Sequence, residues 1–321
     1  MKFLITVLML AIPAYAYTQL VWSVDRYEKE PPLYLLYAFI WGAIPTVGVA
    51  VVLQTLLSVP ILLLLGEGSL ASELTQAAIG APIIEEILKG IGVAILYLTC
   101  RREFDGWVDG IVYGATVGFG FAYVENIFYL MGTASGSEWV ALFVLRAIVF
   151  GGLHGFWTAL TGIGFGLARY TRDRLIQIFV IAGGLLLAIV GHLIHNAAAT
   201  LVEVTNGTSL GLAFLNYGAL ASVMCLLWLV AGVIDRRRLK HHLREEVPAV
   251  ISIEVYQAIC DRRCRAKLTQ LRIPRTVHKQ LLQLAGELAQ KKLQFTKMGD
   301  EGGNQAEIYR LRTALKGLID R

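Results

Sequence analysis

An apolar stretch of the chain, GAPIIEEILKG at residues 80–90, contains three ionisable side chains, Glu85, Glu86 and Lys89. Glu85 and Lys89 are four residues apart and therefore share one face of a helix, with Glu86 about 100° around the axis. Ionisable groups are costly in a membrane and usually face the interior of a helix bundle, where they usually have a functional role. We therefore expect these side chains to form part of a functional site.

Further polar side chains occur in the three apolar segments that follow. They are Glu125, Arg146, His154, His192, His195 and Asn196. His192 and Asn196 are four residues apart and share a helix face. From their positions within the segments, we expect Glu85, His154 and His192 to converge with Glu125 in one polar cavity, in the outer half of the bilayer.

Pro82 is expected to shape the helix that carries the two glutamates. Proline lacks an N–H and fits the first turn of a helix, so Gly80-Ala81-Pro82 predicts a break followed by a half-helix. The positive end of that half-helix would favour the ionised carboxylates that follow it, whereas burial would oppose their ionisation. A balance between these effects near neutral pH suits a general base.

Carboxylates and imidazoles in a cavity within a membrane can hydrolyse a peptide bond. A carboxylate removes a proton from water, while His or Asn donors stabilise the oxyanion that forms on the scissile carbonyl. The same side chains can bind Zn²⁺, which lowers the pKa of bound water to about 7. The sequence contains no H-E-x-x-H motif, so the usual zinc-protease signature is absent.

Two other classes of protein use similar residues. Carboxylate, histidine and lysine side chains along a bundle interior also suit a proton relay, which makes a proton-coupled transporter an alternative. A catalytically inactive scaffold that retains membrane partners is another. The clustering of these residues at similar depth favours the enzyme.

Composition indicates which elements position these residues. The chain is 56% apolar and 17% charged over 321 residues, which predicts an all-α, polytopic transmembrane helix bundle rather than a soluble globule. Seven spans are predicted, of which the second and the fifth are long enough to be tilted or broken. They lie at residues 3–22, 33–58, 74–99, 107–131, 138–168, 175–201 and 208–233.

The charges of the loops predict an orientation in the plasma membrane. One set of loops contains seven basic residues, Arg26, Lys29, Arg101, Arg102, Arg169, Arg172 and Arg174. The other set, at residues 59–73, 132–137 and 202–207, contains none. The positive-inside rule then places the N-terminus outside and the C-terminal tail in the cytoplasm. Residues 1–16 also fit a cleavable signal peptide, and its removal would change the parity of the later spans.

Three regions are predicted along the chain: a membrane domain at residues 1–233, a basic juxtamembrane segment at 234–247 and a small cytosolic helical tail at 248–321. In the tail, leucine spacing predicts short helices that form a hairpin or a surface for a cytosolic partner. The basic segment suits anionic lipid headgroups of the bilayer. Such segments are common in membrane proteins, and we expect no nucleic-acid partner.

Four motifs in this order resemble those of the PrsW family of intramembrane proteases. They are EEILK at Glu85, FAYVE ending at Glu125, HGFWTALTG beginning at His154 and HLIHN from His192 to Asn196. The resemblance covers about residues 75–200, and the four motifs together are far more specific than any one of them. The related CAAX prenyl proteases and bacteriocin-immunity-type proteins have the motifs EExxxR and FxxxH instead, and Lys89 and Glu125 depart from these motifs, which favours PrsW.

The resemblance implies regulated, signalling proteolysis of a single-span membrane protein, such as an anti-sigma factor. It implies that Glu85 activates water, that Glu86 assists it and that Lys89 holds both carboxylates. His192 and Asn196 would stabilise the oxyanion.

The resemblance also implies that Glu125 and His154 complete the site or bind a metal together with His192. It leaves open whether zinc or a metal-free, glutamate-activated water is used. Two supporting residues have alternative roles. His195 could pack or support the site, and Arg146 could pair with a glutamate or reach toward lipid headgroups.

Overall fold

Helices and connecting turns make up the computed structural model, without strands, over the residues that it describes: 1–25, 29–101 and 103–319. Arg26 and Arg102, which contribute to the predicted loop charge, lie outside these ranges. The chain divides into two units. The first comprises Met1–Ser23 and Glu30–Leu226, and the second comprises Val24–Lys29 and Leu227–Arg321.

Apolar helices build the first unit. They are α1 (Lys2–Trp22), α2 (Pro32–Trp41), α3 (Val47–Leu65), α4 (Leu70–Glu73), α5 (Ala81–Thr99), α6 (Trp107–Met131), α7 (Gly136–Phe143), α8 (Leu153–Ala168), α9 (Arg174–Thr200) and the beginning of α10 (Leu210–His242). Most of these helices expose apolar side chains along their length, as expected for contact with lipid.

Six helical segments among the described residues are long and apolar enough to cross a membrane, which confirms the predicted multi-pass helix bundle. They are Lys2–Trp22, Pro32–Leu65, Trp107–Met131, Gly136–Ala168, Arg174–Thr200 and Leu210–Glu246. The predicted third span, residues 74–99, is helical as well. Its three ionisable side chains, Glu85, Glu86 and Lys89, lower its hydropathy, so length and composition select six segments rather than seven.

Three of the long helical segments contain a π-helical turn, in which the hydrogen bonds shift by one residue. These turns are Gly42–Thr46, Leu74–Gly80 and Val144–Val149. The first and third interrupt the two spans that are predicted to be long enough to break. The second precedes Pro82, and here the prediction of a helix break is wrong. Gly80 has helical dihedral angles, φ −63° and ψ −50°, so the helix continues past the proline.

Close helix contacts hold α6, α8 and α9 together through their backbones. Three glycines of α6 lie against α8 at four-residue spacing: Gly110, Gly114 and Gly118. A Cβ at Gly118 would collide with the carbonyl of His154, and a Cβ at Gly184 of α9 would collide with that of Leu160. The glycines thus allow the backbones of these helices to approach closely.

The second unit contains the end of α10 and four further helices around a separate apolar core. These helices are α11 (Ile253–Cys260), α12 (Cys264–Gln270), α13 (Arg275–Met298) and α14 (Asn304–Ile319). Leu281 and Leu288 of α13 and Leu311 and Leu315 of α14 are at most 1% exposed. The leucines whose spacing predicts the tail helices therefore lie on the buried faces of these helices.

A buried ion cluster links these tail helices. The Lys292 ammonium of α13 donates to Glu246 Oε1 at 2.6 Å and lies 2.7 Å from Glu245 Oε2. Arg312 of α14 donates to both oxygens of the Glu246 carboxylate at 2.8 Å. The two cations of this cluster are thus neutralised within the tail.

Candidate active site

Lys89 lies at the centre of the candidate site and is fully buried. Its ammonium group donates to Glu86 Oε1 at 2.8 Å, to Glu85 Oε2 at 3.3 Å and to His154 Nδ1 at 2.9 Å. The two glutamates and Lys89 share α5, whereas His154 is at the beginning of α8. Because an ammonium can only donate, Nδ1 of His154 must carry a lone pair in this arrangement.

His154 is neutral in this hydrogen-bond pattern, with its proton on Nε2. That atom lies 3.0 Å from Glu125 Oε2 of α6 and donates to it. The same carboxylate oxygen accepts a hydrogen bond from Arg146 at 2.7 Å. Arg146 thus pairs with a glutamate, which was one of its two predicted roles, and Glu125 fixes the tautomer of His154.

His192 of α9 has the equivalent arrangement with the other glutamate of the pair. Its Nδ1 lies 3.0 Å from Glu86 Oε1 and donates to it, so Nε2 carries the lone pair. His192 Nε2 is 3.9 Å from Glu85 Oε2, which is too long for a direct hydrogen bond. Each histidine therefore donates one N–H to a carboxylate and keeps a lone pair on its other nitrogen.

The two adjacent glutamates differ in how fully their oxygens are used. Glu86 accepts from Lys89 and His192, and the Thr158 hydroxyl lies 3.1 Å from its Oε2. Glu85 accepts from Lys89 and, through Oε1, from the Gln54 amide at 3.0 Å. Glu86 is thus enclosed by donors, whereas Glu85 Oε2 still faces an unprotonated imidazole nitrogen.

Charge is not balanced within this cluster. Glu85, Glu86 and Glu125 are three carboxylates, and Lys89 and Arg146 are two cations. With both imidazoles neutral, one negative charge is in excess. A buried excess charge is unfavourable unless a proton or a bound cation compensates it.

A metal ion is one way to compensate the excess charge. Glu85, His154 and His192 each offer a ligand atom, and these atoms lie within 4.8 Å of one another. One carboxylate and two imidazoles are a common ligand set of catalytic zinc. Zinc-bound histidines usually donate their second N–H to a carboxylate or a carbonyl, as His154 and His192 do here. The residues present therefore fit a zinc ion, provided that the Lys89 ammonium moves aside.

This ligand set differs from the predicted one, which contains Glu125 in place of Glu85. In the structure Glu125 contacts the protonated nitrogen of His154 and is paired with Arg146. A glutamate of α5 takes its place because the side chain of Glu85 points toward His192.

Two predicted residues lie at the margin of the cluster. The Asn196 amide donates to the carbonyl of Ala77 at 2.9 Å, in the π-helical turn before α5, and makes no hydrogen bond with the cluster. The His195 ring packs edge-on against Phe150 with 4.9 Å between centroids, and its buried Nδ1 has no partner among the described residues. Packing, one of the alternatives for His195, is thus the contact that it makes.

Three residues of the site have no role assigned by the sequence: Gln54, Trp157 and Thr158. Gln54 is the one side-chain amide of α3, and Thr158 is four residues from His154 on the same helix face. Both signals are present in the sequence, but each is common in helices without a function. Trp157 stacks on the His192 ring.

Fold and site together define a polytopic helical membrane protein with a buried carboxylate–imidazole centre. The family described as "PrsW family intramembrane metalloprotease" matches residues 30–231, and the chain belongs to this family. The resemblance predicted from the four motifs is thereby confirmed.

Three relatives, each called Protease PrsW, match parts of the chain. The protein of Geobacillus kaustophilus is 33% identical over 150 residues, which are 47% of this chain and 60% of the relative. The Bacillus subtilis protein is 28% identical over 153 residues, or 47% and 62% of the two chains. The Clostridioides difficile protein is 31% identical over 109 residues, or 34% and 43%. The matched part thus spans less than two thirds of these relatives. No solved structure matches this chain.

Proposed function

We propose that this chain is an intramembrane endopeptidase that hydrolyses peptide bonds of membrane proteins at the Glu85 cluster. The observation that carries the proposal is the difference between the two adjacent glutamates. Glu86 is enclosed by donors, whereas Glu85 Oε2 faces the unprotonated Nε2 of His192 at 3.9 Å. Glu85 is therefore the carboxylate with a lone pair available to water or to a metal ion.

In the proposed mechanism Glu86 and Glu125 orient the two histidines. Each accepts an N–H from an imidazole, which fixes the tautomer and directs the other ring nitrogen toward Glu85 and Lys89. Lys89 stabilises the ionised form of the carboxylates of α5. If no metal ion takes part, Glu85 accepts the proton of the attacking water at Oε2, and Gln54 holds the other oxygen of that carboxylate.

We further propose that Glu85, His154 and His192 hold Zn²⁺, in which case Glu85 is a ligand of the ion and does not act as the base. When bound, the ion supplies a lowered pKa of water and polarisation of the scissile carbonyl. The support comes from the ligand set, the outer carboxylates on both histidines and the excess negative charge of the cluster. The Asn196 amide donates to the Ala77 carbonyl. Asn196 can donate to the oxyanion only in a conformation in which this hydrogen bond is broken.

The family and the charge pattern of the loops support a substrate class and an orientation in the membrane. We propose that the substrate is a single-span protein such as an anti-sigma factor, cleaved near the outer leaflet of the plasma membrane. The tail then lies in the cytoplasm.

The test is proteolysis of candidate single-span proteins by the purified wild type and by Glu85→Gln. We expect cleavage by the wild type and none by the variant, with equal thermal stability of both proteins. Glu73→Gln is the matched control, because Glu73 is exposed on α4, seven residues before Gly80. Equal cleavage by wild type and Glu85→Gln would remove Glu85 from the mechanism. Proton uptake by vesicles containing the protein, without cleavage of any substrate, would favour the transporter instead.

A further inference from the structure

The tail has a cationic surface that proteolysis in the membrane does not use. Residues 261–280 contain one acidic residue, Asp261, and seven basic residues, all of them exposed. The seven are Arg262, Arg263, Arg265, Lys267, Arg272, Arg275 and Lys279. We call these seven residues the cationic face; they lie in the turn before α12, on α12, in the turn that follows it and at the beginning of α13.

A cleft lies between the two helices of this face. Its volume is about 560 Å³, and its lining contains no acidic residue. The lining residues are Arg265, Ala266, Thr269, Arg275, His278 and Lys279. Among the described residues, none pairs with the three cations of this cleft, whereas Lys292 and Arg312 of the same unit are paired with Glu245 and Glu246. The cleft therefore holds uncompensated positive charge.

Arg272 belongs to the cationic face although its backbone conformation is unfavourable for a residue with a side chain. Arg272 has a left-handed conformation, φ +60°, where the hydrogen bond from Ile273 N–H to the Leu268 carbonyl ends α12. Glycine is the residue that usually ends a helix in this conformation, because it does so without steric strain. Backbone conformation alone would favour glycine at this position. The arginine found there instead adds a positive charge to the cationic face.

We propose that the cationic face binds the headgroups of anionic phospholipids at the surface of the membrane that this chain spans. Phosphodiester oxygens accept the paired N–H groups of arginine, and a cleft bordered by two arginines and a lysine suits a headgroup phosphate. Basic segments close to a membrane span are attracted to anionic lipid surfaces. The exposed Leu271 beside Arg272 supplies an apolar side chain for the boundary between headgroups and acyl chains.

The same observations favour lipid over nucleic acid. Nucleic acids without a fixed sequence are bound by cationic grooves in which aromatic side chains stack on the bases. The lining of this cleft has no phenylalanine, tyrosine or tryptophan. The tail is also tethered to a helix of the bilayer, α10, which keeps it at a high effective concentration of headgroups.

The test uses the full chain in nanodiscs made either of phosphatidylcholine alone or of phosphatidylcholine with phosphatidylglycerol. Amide hydrogen exchange is followed in peptides that cover residues 262–279. We expect slower exchange in the discs with phosphatidylglycerol, and we expect high salt to remove this protection. Equal exchange in both kinds of disc at low salt would overturn the proposal.

Two double variants make the test specific to the face. Arg265→Gln with Arg275→Gln is expected to reduce the protection by on the order of tenfold. The control, Arg310→Gln with Lys316→Gln on α14, removes the same charge elsewhere in the tail and is expected to keep it. An equal loss of protection in both double variants would show a general effect of charge and would overturn the assignment of lipid binding to the cationic face. Protection in phosphatidylcholine discs by an RNA oligonucleotide or by inorganic phosphate, but not by phosphatidylglycerol, would also overturn it.

Discussion

The indole of Trp157 lies almost parallel to the imidazole of His192, with 4.0 Å between the ring centroids and 11° between the planes. Trp157 is on α8 and 1% exposed, whereas His192 is on α9. Together with the hydrogen bond from His192 to Glu86 on α5, this stacking holds the imidazole of α9 by contacts with two other helices. The position of His192 is thus set by packing as well as by hydrogen bonding.

We expect Trp157→Leu to lower kcat/KM for peptide cleavage by about 10- to 100-fold, because the His192 ring loses the surface that orients it. Trp157→Phe keeps an aromatic face and is expected to retain most of the activity. Steady-state kinetics on one substrate measure both variants. Equal losses in the two variants would show that ring stacking is not the relevant contact.

Thr158→Val removes the hydroxyl that lies 3.1 Å from Glu86 Oε2 and 3.0 Å from the carbonyl of His154. The side-chain volume stays nearly the same, and a buried carboxylate oxygen loses a donor. We expect the free energy of unfolding to fall by about 1–3 kcal/mol, with Thr158→Ser close to the wild type. Denaturation in detergent measures this, and a stable valine variant would contradict the proposed bond to Glu86.

Metal content distinguishes the ligand set of the structure from the one predicted by sequence. Chelation is expected to abolish cleavage, and added Zn²⁺ to restore it. Glu85→Gln should lose zinc, whereas Glu125→Gln should bind it about 10- to 100-fold more weakly, as expected for an outer carboxylate on His154. Elemental analysis and zinc titration measure both variants. If Glu125→Gln lost zinc and Glu85→Gln only bound it more weakly, Glu125 would be the ligand instead.

Gly118→Ala tests the backbone contact between α6 and α8. Its Cβ would collide with the carbonyl of His154, so we expect the variant to lose about 1–3 kcal/mol of stability and to displace His154. Gly183→Ala is the control, because a Cβ there meets no atom within 4 Å. Thermal denaturation separates the two variants, and similar midpoints would argue against close contact at Gly118.

Glu246→Gln tests the ion cluster of the tail. Among the described residues, the buried Lys292 would keep only the exposed Glu245 as an anionic partner, so we expect a loss of about 2–4 kcal/mol, seen as faster hydrogen exchange in α13. Glu307→Gln, which breaks an exposed pair with Arg310, should cost less than about 1 kcal/mol. Unchanged exchange in the first variant would show that this cluster does not hold the tail together.

Sequence alone predicts the helix bundle and the ionisable members of the site, because an ionisable side chain in an apolar helix is rare enough to stand out. Glu85, Glu86 and His192 are found in this way. Gln54 is not, because a single neutral polar residue is common in membrane helices and its bond to Glu85 joins α3 to α5 across 31 positions of the chain. Such a pairing depends on how the helices pack.

Local backbone geometry accounts for the remaining differences. The sequence predicts a helix break at Pro82, yet the π-helical turn Leu74–Gly80 lets the helix continue. The same turn contains the Ala77 carbonyl that accepts the Asn196 amide. Asn196, a predicted site residue, thus makes a structural contact with this turn, and no sequence period encodes the one-residue shift of the hydrogen bonds there.

The glycine contacts divide the site into two mechanical parts. Axial sliding of α6, α8 or α9 past one another would drive a carbonyl into a neighbouring backbone, so these three helices move as one rigid body that carries Glu125, His154 and His192. The glutamates of α5 meet that body through side chains. Side-chain contacts can re-form after a displacement. When a substrate enters, moving the carboxylates of α5 away from the histidines therefore costs less free energy than moving the two histidines apart. A metal ion bound by Glu85 and both histidines would hold the two parts together.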